Sequence, residues 1–245
     1  MAREWIKAIV ILGLAVVVGT SAREARAAFG DNLVVNGDAE AGKLLATIGG
    51  FGTYSTPGWT NIAGNFEAEA YADGTPPNNT PTSPGPANRG ALLFYGGIAQ
   101  LSVATQAIDI SASASMIDMG IVRADVAGYL GGFVRDNDNA IFSATFLGAN
   151  NNFLGSVSIG PVLAADRGNV SALLFEATSA FLPMGTRTID ATLTFTRTNG
   201  SFNNGGADNL SITLATVPEP SSLILAGIPA ALGLVQLARR QRAGR

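Results

Sequence analysis

The chain has 245 residues, 47% of them hydrophobic, with no cysteine and no histidine. Without histidine it lacks the commonest general base and imidazole metal ligands, which disfavours most enzyme classes. Without cysteine, the fold must be held by its core or by a metal rather than by disulfides. The net charge of −3 is unevenly spread, because residues 28–217 hold seven basic and fifteen acidic groups. Such an acidic region is a poor partner for nucleic acid, which needs clustered lysine and arginine.

Residues 1–27 have the pattern of a secretory signal peptide. Arg3 and Lys7 precede an apolar run at 8–18, and Ala25-Arg26-Ala27 forms a small-x-small cleavage site. We expect an N-terminal signal helix, export through the Sec translocon and removal by signal peptidase. The alternative is an uncleaved N-terminal anchor, which the short apolar run disfavours.

Residues 28–215 read as one domain of short strands separated by glycine- and asparagine-rich turns. Residues 188–196 alternate strictly between apolar and polar, which indicates a strand with one buried and one wet face. Because no helical period is sustained, the pattern predicts an all-β antiparallel sandwich or barrel. The predicted strands are 33–35, 66–71, 91–95, 100–110, 117–130, 141–147, 153–159, 171–177, 188–196 and 208–214.

Residues 216–245 form a separate C-terminal segment. It begins with the motif Val217-Pro218-Glu219-Pro220 and continues with uncharged residues 221–238. That run is long enough to cross a bilayer as a helix. The cluster that follows would remain in the cytoplasm as a membrane stop, and consists of Arg239, Arg240 and Arg242.

The proline motif, apolar run and arginine cluster together resemble the PEP-CTERM sorting signal of Gram-negative bacteria. The resemblance implies that an exosortase-type membrane enzyme recognises Pro-Glu-Pro and removes the helix, and it implies a link to exopolysaccharide and biofilm. A Pro-x-Pro segment is extended at low entropic cost, as an enzyme cleft requires. We therefore expect an inner-membrane-anchored precursor, later located at the cell surface or in the extracellular matrix.

The exported region is similar to PEP-CTERM proteins with a galactose-binding-like jelly roll. The segments that carry the similarity are Asn-Leu-Val-Val-Asn-Gly-Asp-Ala-Glu at 32–40, Thr-Pro-Gly-Trp-Thr at 56–60 and Gly-Ala-Asp-Asn-Leu-Ser-Ile-Thr-Leu at 206–214. Related jelly rolls hold a structural cation where the first and last strands meet. The matching residues imply a Ca²⁺ site at Asp38, Glu40 and Asp208, since calcium prefers oxygen ligands. Alternatively, Asp38 and Asp208 cap turns through their side chains.

Two further groups of residues are candidates for chemistry on sugars. A platform that stacks on a sugar could be supplied by Tyr54, Trp59, Tyr71, Tyr95, Tyr129 and Phe133. Core burial is favoured for Trp59 and Phe133, and the preferred stacking residues are Tyr71 and Tyr95, which border loops. Glu67 and Glu69 would face one side of a strand about 7 Å apart, near the spacing of glycosidase carboxylates. For that pair, a solvated strand face is the favoured interpretation.

The sequence predicts a non-enzymatic, exported envelope or matrix protein with a structural or adhesive role linked to exopolysaccharide. One alternative is a specific carbohydrate-binding module. A weaker alternative is a glycoside hydrolase that uses carboxylates alone, because no histidine or cysteine is present to assist.

Overall fold

A computed structural model describes residues 29–48, 51–71 and 79–217. A 3₁₀ turn (Ser111–Ser113) and a short helix, α1 (Ala114–Asp118), stand among twelve strands in the described ranges. The strands are β1 (Leu44–Ile48), β2 (Phe51–Tyr54), β3 (Thr60–Ala63), β4 (Glu67–Ala70), β5 (Leu92–Tyr95), β6 (Leu101–Asp109), β7 (Val122–Gly132), β8 (Asn139–Gly148), β9 (Phe153–Ile159), β10 (Ala172–Phe181), β11 (Thr186–Thr196) and β12 (Gly205–Thr216).

The strands form two sheets. The seven-stranded sheet has the order β1-β2-β4-β5-β12-β7-β10, and the five-stranded sheet has the order β3-β6-β11-β8-β9. Every strand pair described in the two sheets is antiparallel. The prediction of an all-β antiparallel sandwich is therefore confirmed.

The core lies between the sheets and is centred on an aromatic cluster. Trp59 contacts Phe94 of the seven-stranded sheet and Phe142 of the five-stranded sheet, with ring centroids 5.5 and 6.4 Å apart. Phe66 bridges Phe94 and Phe195 at 5.6 and 5.9 Å. Burial of each such ring contributes about 2–3 kcal/mol, so this cluster accounts for much of the packing that joins the sheets. The expected burial of Trp59 is confirmed, whereas Phe133 is only half-buried.

The predicted strand at 33–35 is wrong. The segment runs beside β12, where the Leu33 N–H donates to the carbonyl of Ile212 (2.9 Å). However, the side chain of Asn32 replaces regular pairing, since its oxygen accepts from the N–H groups of Val34 and Ile212 at 3.0 and 3.1 Å. The local polar group therefore satisfies the backbone without a ladder.

Other boundaries also differ from the prediction. Residues 114–118 form α1, so β7 begins at Val122 rather than at 117. Strand β10 continues to Phe181, and β1, β2 and β3 were not predicted. These last three strands are only four or five residues long, too short to show a periodic pattern.

Several predicted segments lie outside the described residues. They are the signal peptide 1–27, the motif residues Pro218, Glu219 and Pro220, the apolar run 221–238, and Arg239, Arg240 and Arg242. Within the described ranges, no helix is long and apolar enough to span a bilayer. Val217 is the last described residue, and its N–H donates to the carbonyl of Ile121 (2.9 Å).

Candidate functional site

The segment 32–40 is held tightly against the last strand. The amide of Asn32 donates to the carbonyl of Leu210 (3.0 Å), and the Leu210 N–H donates to the carbonyl of Gly37 (2.8 Å). The side chain of Asn36 donates to the carbonyl of Pro57 and accepts from the Ala41 N–H. The first and last segments of the described domain thus meet through a network of amide hydrogen bonds.

The three predicted calcium ligands lie near this junction, each with a hydrogen-bond partner. Asp208 is fully buried, and its carboxylate accepts from the Tyr71 hydroxyl (2.6 Å) and the Asn209 N–H (2.7 Å). Glu40 accepts from the N–H groups of Ala91 and Leu92 at 2.8 and 2.7 Å. Asp38 accepts from the Glu40 N–H (3.3 Å). Among the described residues, no three acidic side chains converge closely enough to form a metal-ligand group, and calcium stays a prediction.

Asp208 has an unusual charge environment. Its pKa is raised from 3.8 to about 7, mainly by burial and to a smaller extent by the nearby carboxylates of Glu40 and Asp38. The hydrogen bonds from Tyr71 and Asn209 oppose this shift without cancelling it. Burial and the Asp208 charge also raise the pKa of the Tyr71 hydroxyl. Burial therefore favours the protonated form of Asp208, whereas a bound cation would favour its ionised form.

An open cleft of about 430 Å³ lies over the same junction. Its polar lining consists of Asn32, Asn36, Asp38, Asn88 and Asn209, with the ring of Tyr129 beside them. Asn209 stands in a left-handed conformation (φ +50°) where the register of β12 against β7 shifts. A bulge of this kind redirects a side chain, and the Asn209 amide donates to the oxygen of Asn88 (3.1 Å). The cleft therefore presents planar amide groups and one aromatic ring.

Tyr129 is paired with a second aromatic residue. Phe175 lies directly opposite it on β10, with ring centroids 5.4 Å apart and ring planes at 60°. The Phe175 side chain is 59% exposed, so it extends the aromatic surface out of the cleft. Amides beside an exposed ring are the groups that bind hydroxyls and the apolar face of a sugar.

Tyr129 is one of the candidate stacking residues and lines the cleft, but the two preferred candidates, Tyr71 and Tyr95, are not at this surface. The side chains of Tyr71 and Tyr95 are 2% and 6% exposed, so neither presents an open face to a sugar, and their assignment as a stacking platform is corrected. The guanidinium of Arg89 lies 5.1 Å from the centroid of the Tyr71 ring. Arg89 also donates to the carbonyls of Thr80, Ser83 and Pro86. It therefore ties the loop at 79–90 over Tyr71.

Sequence reasoning did not select Phe175, which lies in the unbroken apolar run 172–175. A run of this kind does not show which residue faces solvent, because four consecutive apolar residues have no alternation between apolar and polar types. No signal in the sequence distinguishes Phe175 from its buried neighbour Leu173.

Glu67 and Glu69 differ from their predicted environment. Glu69 is 4% exposed, so the interpretation as a solvated face is wrong for this residue. Burial raises the pKa of Glu67, and the charges of both glutamates contribute to the raised pKa of Tyr95 after the larger effect of burial. The two carboxylates are thus partly withdrawn from solvent beside Tyr95.

The C-terminal segment carries a motif that is shared with a known protein family. Residues 216–242 match the PEP-CTERM protein-sorting motif. This motif implies an exported protein of the cell envelope that is sorted by an exosortase, a membrane enzyme. The PEP-CTERM motif begins at Thr216, the last residue of β12. No curated protein sequence matches the chain.

Solved structures resemble the sandwich at low identity. A family 16 carbohydrate-binding module is 15% identical, with 75% of this chain and 99% of that chain covered and a TM-score of 0.45. TmCBM61 in complex with β-1,4-galactotriose is 13% identical, with coverages of 76% and 99% and a TM-score of 0.42. The enzymatically active domain of bacteriophage CBA120 tailspike protein 4 is 14% identical, with a TM-score of 0.45. The alignment covers 76% of this chain and 21% of the tailspike chain. At these scores the likeness carries no functional argument.

Proposed function

We propose that this protein is an exported envelope or matrix protein with a structural or adhesive role linked to exopolysaccharide. In this proposal, an exosortase-type enzyme processes the precursor at Val217-Pro218-Glu219-Pro220, while the span 221–238 and the arginines after it hold the precursor in the inner membrane. The cleft beside Tyr129 provides the contact with polysaccharide.

The amide cleft with its exposed aromatic pair is the observation that supports this role. Asn36, Asn88 and Asn209 offer donors and acceptors to sugar hydroxyls, and Phe175 offers an accessible ring. Asp38 lines the cleft, and residues 28–217 carry an excess of acidic groups. Because like charges repel, a neutral polysaccharide suits this surface better than an anionic one.

Replacement of Phe175 tests the contact. In Phe175→Ala, affinity for purified exopolysaccharide is expected to fall about tenfold, equivalent to about 1.4 kcal/mol. Phe153→Ala is the matched control, since Phe153 is also exposed but lies on the other sheet. Affinity electrophoresis against the polysaccharide measures both variants. Equal retardation of wild type and Phe175→Ala would contradict the assigned surface.

The sorting step has a separate test. Replacement of Pro218, Glu219 and Pro220 by alanine is expected to block processing, leaving a larger, membrane-bound form. Immunoblots of membrane, surface and medium fractions measure its size and location. Unchanged size and location would show that the motif is not the processing point.

The two alternative functions predict different binding and activity. A specific carbohydrate-binding module would bind one glycan saturably on an array, whereas a structural role predicts broad, weak retention. A carboxylate-only hydrolase would lose turnover of glycosidase substrates in the Glu67→Gln/Glu69→Gln double variant. The burial of Glu69 limits access of a substrate to that pair.

A further inference from the structure

The PEP-CTERM motif leaves the sandwich without a linker. Val217, which immediately precedes Pro218, is still hydrogen-bonded to Ile121 at the end of the sheet. On the other side of β7, the Leu182 N–H donates to the carbonyl of Val122 (2.9 Å). Pro218 is therefore attached where the turn before β7 and the turn after β10 meet.

These two turns carry large exposed apolar side chains. Met119 lies two residues before Ile121 and is 60% exposed, and Met184 lies two residues after Leu182 and is 69% exposed. Phe181, adjacent to Leu182, is 56% exposed. Three large apolar side chains thus lie within two residues of the backbone groups that are hydrogen-bonded at this end of the sheet.

A single aspartate fixes the two turns together. Asp118 accepts from the Gly185 N–H (2.9 Å) and from both terminal nitrogens of Arg187 at 3.0 and 2.7 Å. The Arg187 hydrogen bonds, followed by the Gly185 N–H, hold the pKa of Asp118 below its usual value. The charges of Asp118 and Arg187 cancel, so Met119 and Met184 lie near an ion pair that has no net charge. Asp109, the last residue of β6, is an exposed acid that lies opposite Thr188 of β11.

The length of chain between the sandwich and the membrane is short. Only Pro218, Glu219 and Pro220 separate Val217 from the apolar run that begins at Ser221. Even fully extended, the chain from residue 217 to 221 reaches no more than about 14 Å. The headgroup layer itself occupies about 6 Å on each side of a bilayer. If residues 221–238 cross the bilayer as proposed above, the end of the sandwich that carries Met119, Phe181 and Met184 lies within about 14 Å of the hydrocarbon core.

We propose that this end of the sandwich is a lipid-contacting surface, formed by Met119, Phe181 and Met184, that rests in the bilayer interface while the precursor is anchored. The inference depends on the proposed membrane span at 221–238 and is independent of polysaccharide binding. Apolar side chains at such a surface enter the boundary between headgroups and acyl chains. Contact with lipid would orient the sandwich and hold the Pro-Glu-Pro motif at the depth of a membrane enzyme.

Single-cysteine labelling tests this surface, because the native chain contains no cysteine. Full-length Met119→Cys and Met184→Cys proteins, each carrying an environment-sensitive fluorophore, are reconstituted in phosphatidylcholine vesicles with brominated acyl chains. The zwitterionic lipid avoids repulsion of Asp109. Fluorescence quenching at both positions is expected to exceed that of controls by about threefold or more, since insertion reaches about 5–10 Å.

The controls are Ile98→Cys and Val170→Cys, which are also exposed but lie at the opposite end of the sandwich. The eleven residues of β7 separate the two ends by about 33 Å.

Equal quenching at both ends would overturn the inference. So would failure of the protein to float with the vesicles, because no anchor would then exist. Quenching at 119 and 184 that requires a co-reconstituted exosortase-type enzyme would assign the surface to that enzyme instead of to lipid. Polysaccharide binding by the same proteins reports separately on the cleft.

Discussion

The outer faces of the two sheets differ in their exposure to solvent. In β8 of the five-stranded sheet, buried and half-buried residues alternate without a break, whereas all four residues of β5 in the seven-stranded sheet are buried. The loop at 79–90 contributes to this cover, since the Leu173 N–H of β10 donates to the carbonyl of Pro84 (2.9 Å). Polar groups beneath a cover lose contact with water, and their pKa values shift. The cover over part of the seven-stranded sheet therefore raises the pKa values of Asp208 and Tyr71 beneath it.

Hydroxyl groups dominate the outer face of the five-stranded sheet. In register across its five strands lie Thr60, Thr105, Thr192, Ser143 and Ser158. The hydroxyl of Thr105 donates to the carboxylate of Asp190. On the covered sheet, by contrast, Asp208 and Glu69 are buried. The comparison predicts that substitutions on the two outer faces differ in their effect, although both sheets share one core.

The largest effect is expected in the shared core. Phe94→Ala on the seven-stranded sheet and Phe142→Ala on the five-stranded sheet should each lower the free energy of unfolding by about 3–5 kcal/mol. Both side chains are fully buried against Trp59. Denaturant unfolding of the two variants measures the losses. A small loss for only one of them would mean that the sheets do not share the core equally.

Glycine substitutions compare how closely other atoms pack against the seven-stranded and the five-stranded sheet. A β-carbon at Gly131 of β7 would overlap the carbonyl oxygen of Ala172, so Gly131→Ala should lower the free energy of unfolding by about 3 kcal/mol. At Gly155 of β9, the nearest atom would be 3.5 Å away, in the ring of Pro183. Gly155→Ala is therefore the control and should change stability by less than about 1 kcal/mol. Thermal unfolding compares the two, and similar melting temperatures would contradict the difference in packing.

Asp208 is expected to make the free energy of unfolding depend on pH. Its folded-state pKa is about 7 and its usual value is 3.8, so between these values the folded protein retains a proton that the unfolded chain has lost. The contribution to the free energy of unfolding is fully present below the usual pKa and is lost as the pH rises through about 7. Asp208→Asn should remove this dependence and stabilise the protein at pH 8 by about 2 kcal/mol. Urea unfolding between pH 5 and pH 8 measures both effects.

Asp138→Asn is the matched control. Asp138 is also fully buried, but its carboxylate accepts from the N–H groups of Thr198, Asn199 and Asn204. An amide group would oppose one of these donors, so this variant should be destabilised by about 2 kcal/mol at all pH values tested. A loss of stability at pH 8 in Asp208→Asn as well would contradict the role of burial at position 208.

Removal of metal tests the predicted calcium at Asp38, Glu40 and Asp208. If Ca²⁺ binds there, addition of EDTA should lower the melting temperature of the purified domain by about 5 °C. In Asp208→Asn the same addition should have no effect, because a ligand is missing. Calorimetric scans with and without EDTA measure the shift. An unchanged wild-type melting temperature would show that the acidic side chains act only through their hydrogen bonds.

The smallest effect is expected on the wet face of the five-stranded sheet. Thr105→Ala removes the hydroxyl that donates to Asp190, but both groups remain accessible to water. The free energy of unfolding should change by less than about 1 kcal/mol. Thr105→Val is the companion variant, since it retains the β-branched shape that favours a strand. A loss as large as that of Gly131→Ala would remove the distinction between the two faces.

Much of the fold was predictable because it depends on local alternation. Residues 188–196 and 142–146 alternate with period two, and they lie in β11 and β8 as expected. Short strands such as β3 were not predictable, because four residues show no period. The segment 33–35 failed for a different reason: the hydrogen bonds of the Asn32 side chain depend on the position of β12, far away in sequence.

The sequence by itself determined the all-β class, the acidic character of the domain and the PEP-CTERM motif, because each is written in composition or in consecutive residues. Only the tertiary structure decided which aromatic residues face solvent and which acids are buried. Tyr71 is buried because Arg89 and the loop at 79–90 cover it, while Phe175 is exposed at the edge of the same sheet. Asp208 has its unusual pKa because the chain folds Tyr71 and the segment 32–40 around it. These properties arise from contacts between distant segments, which no local pattern records.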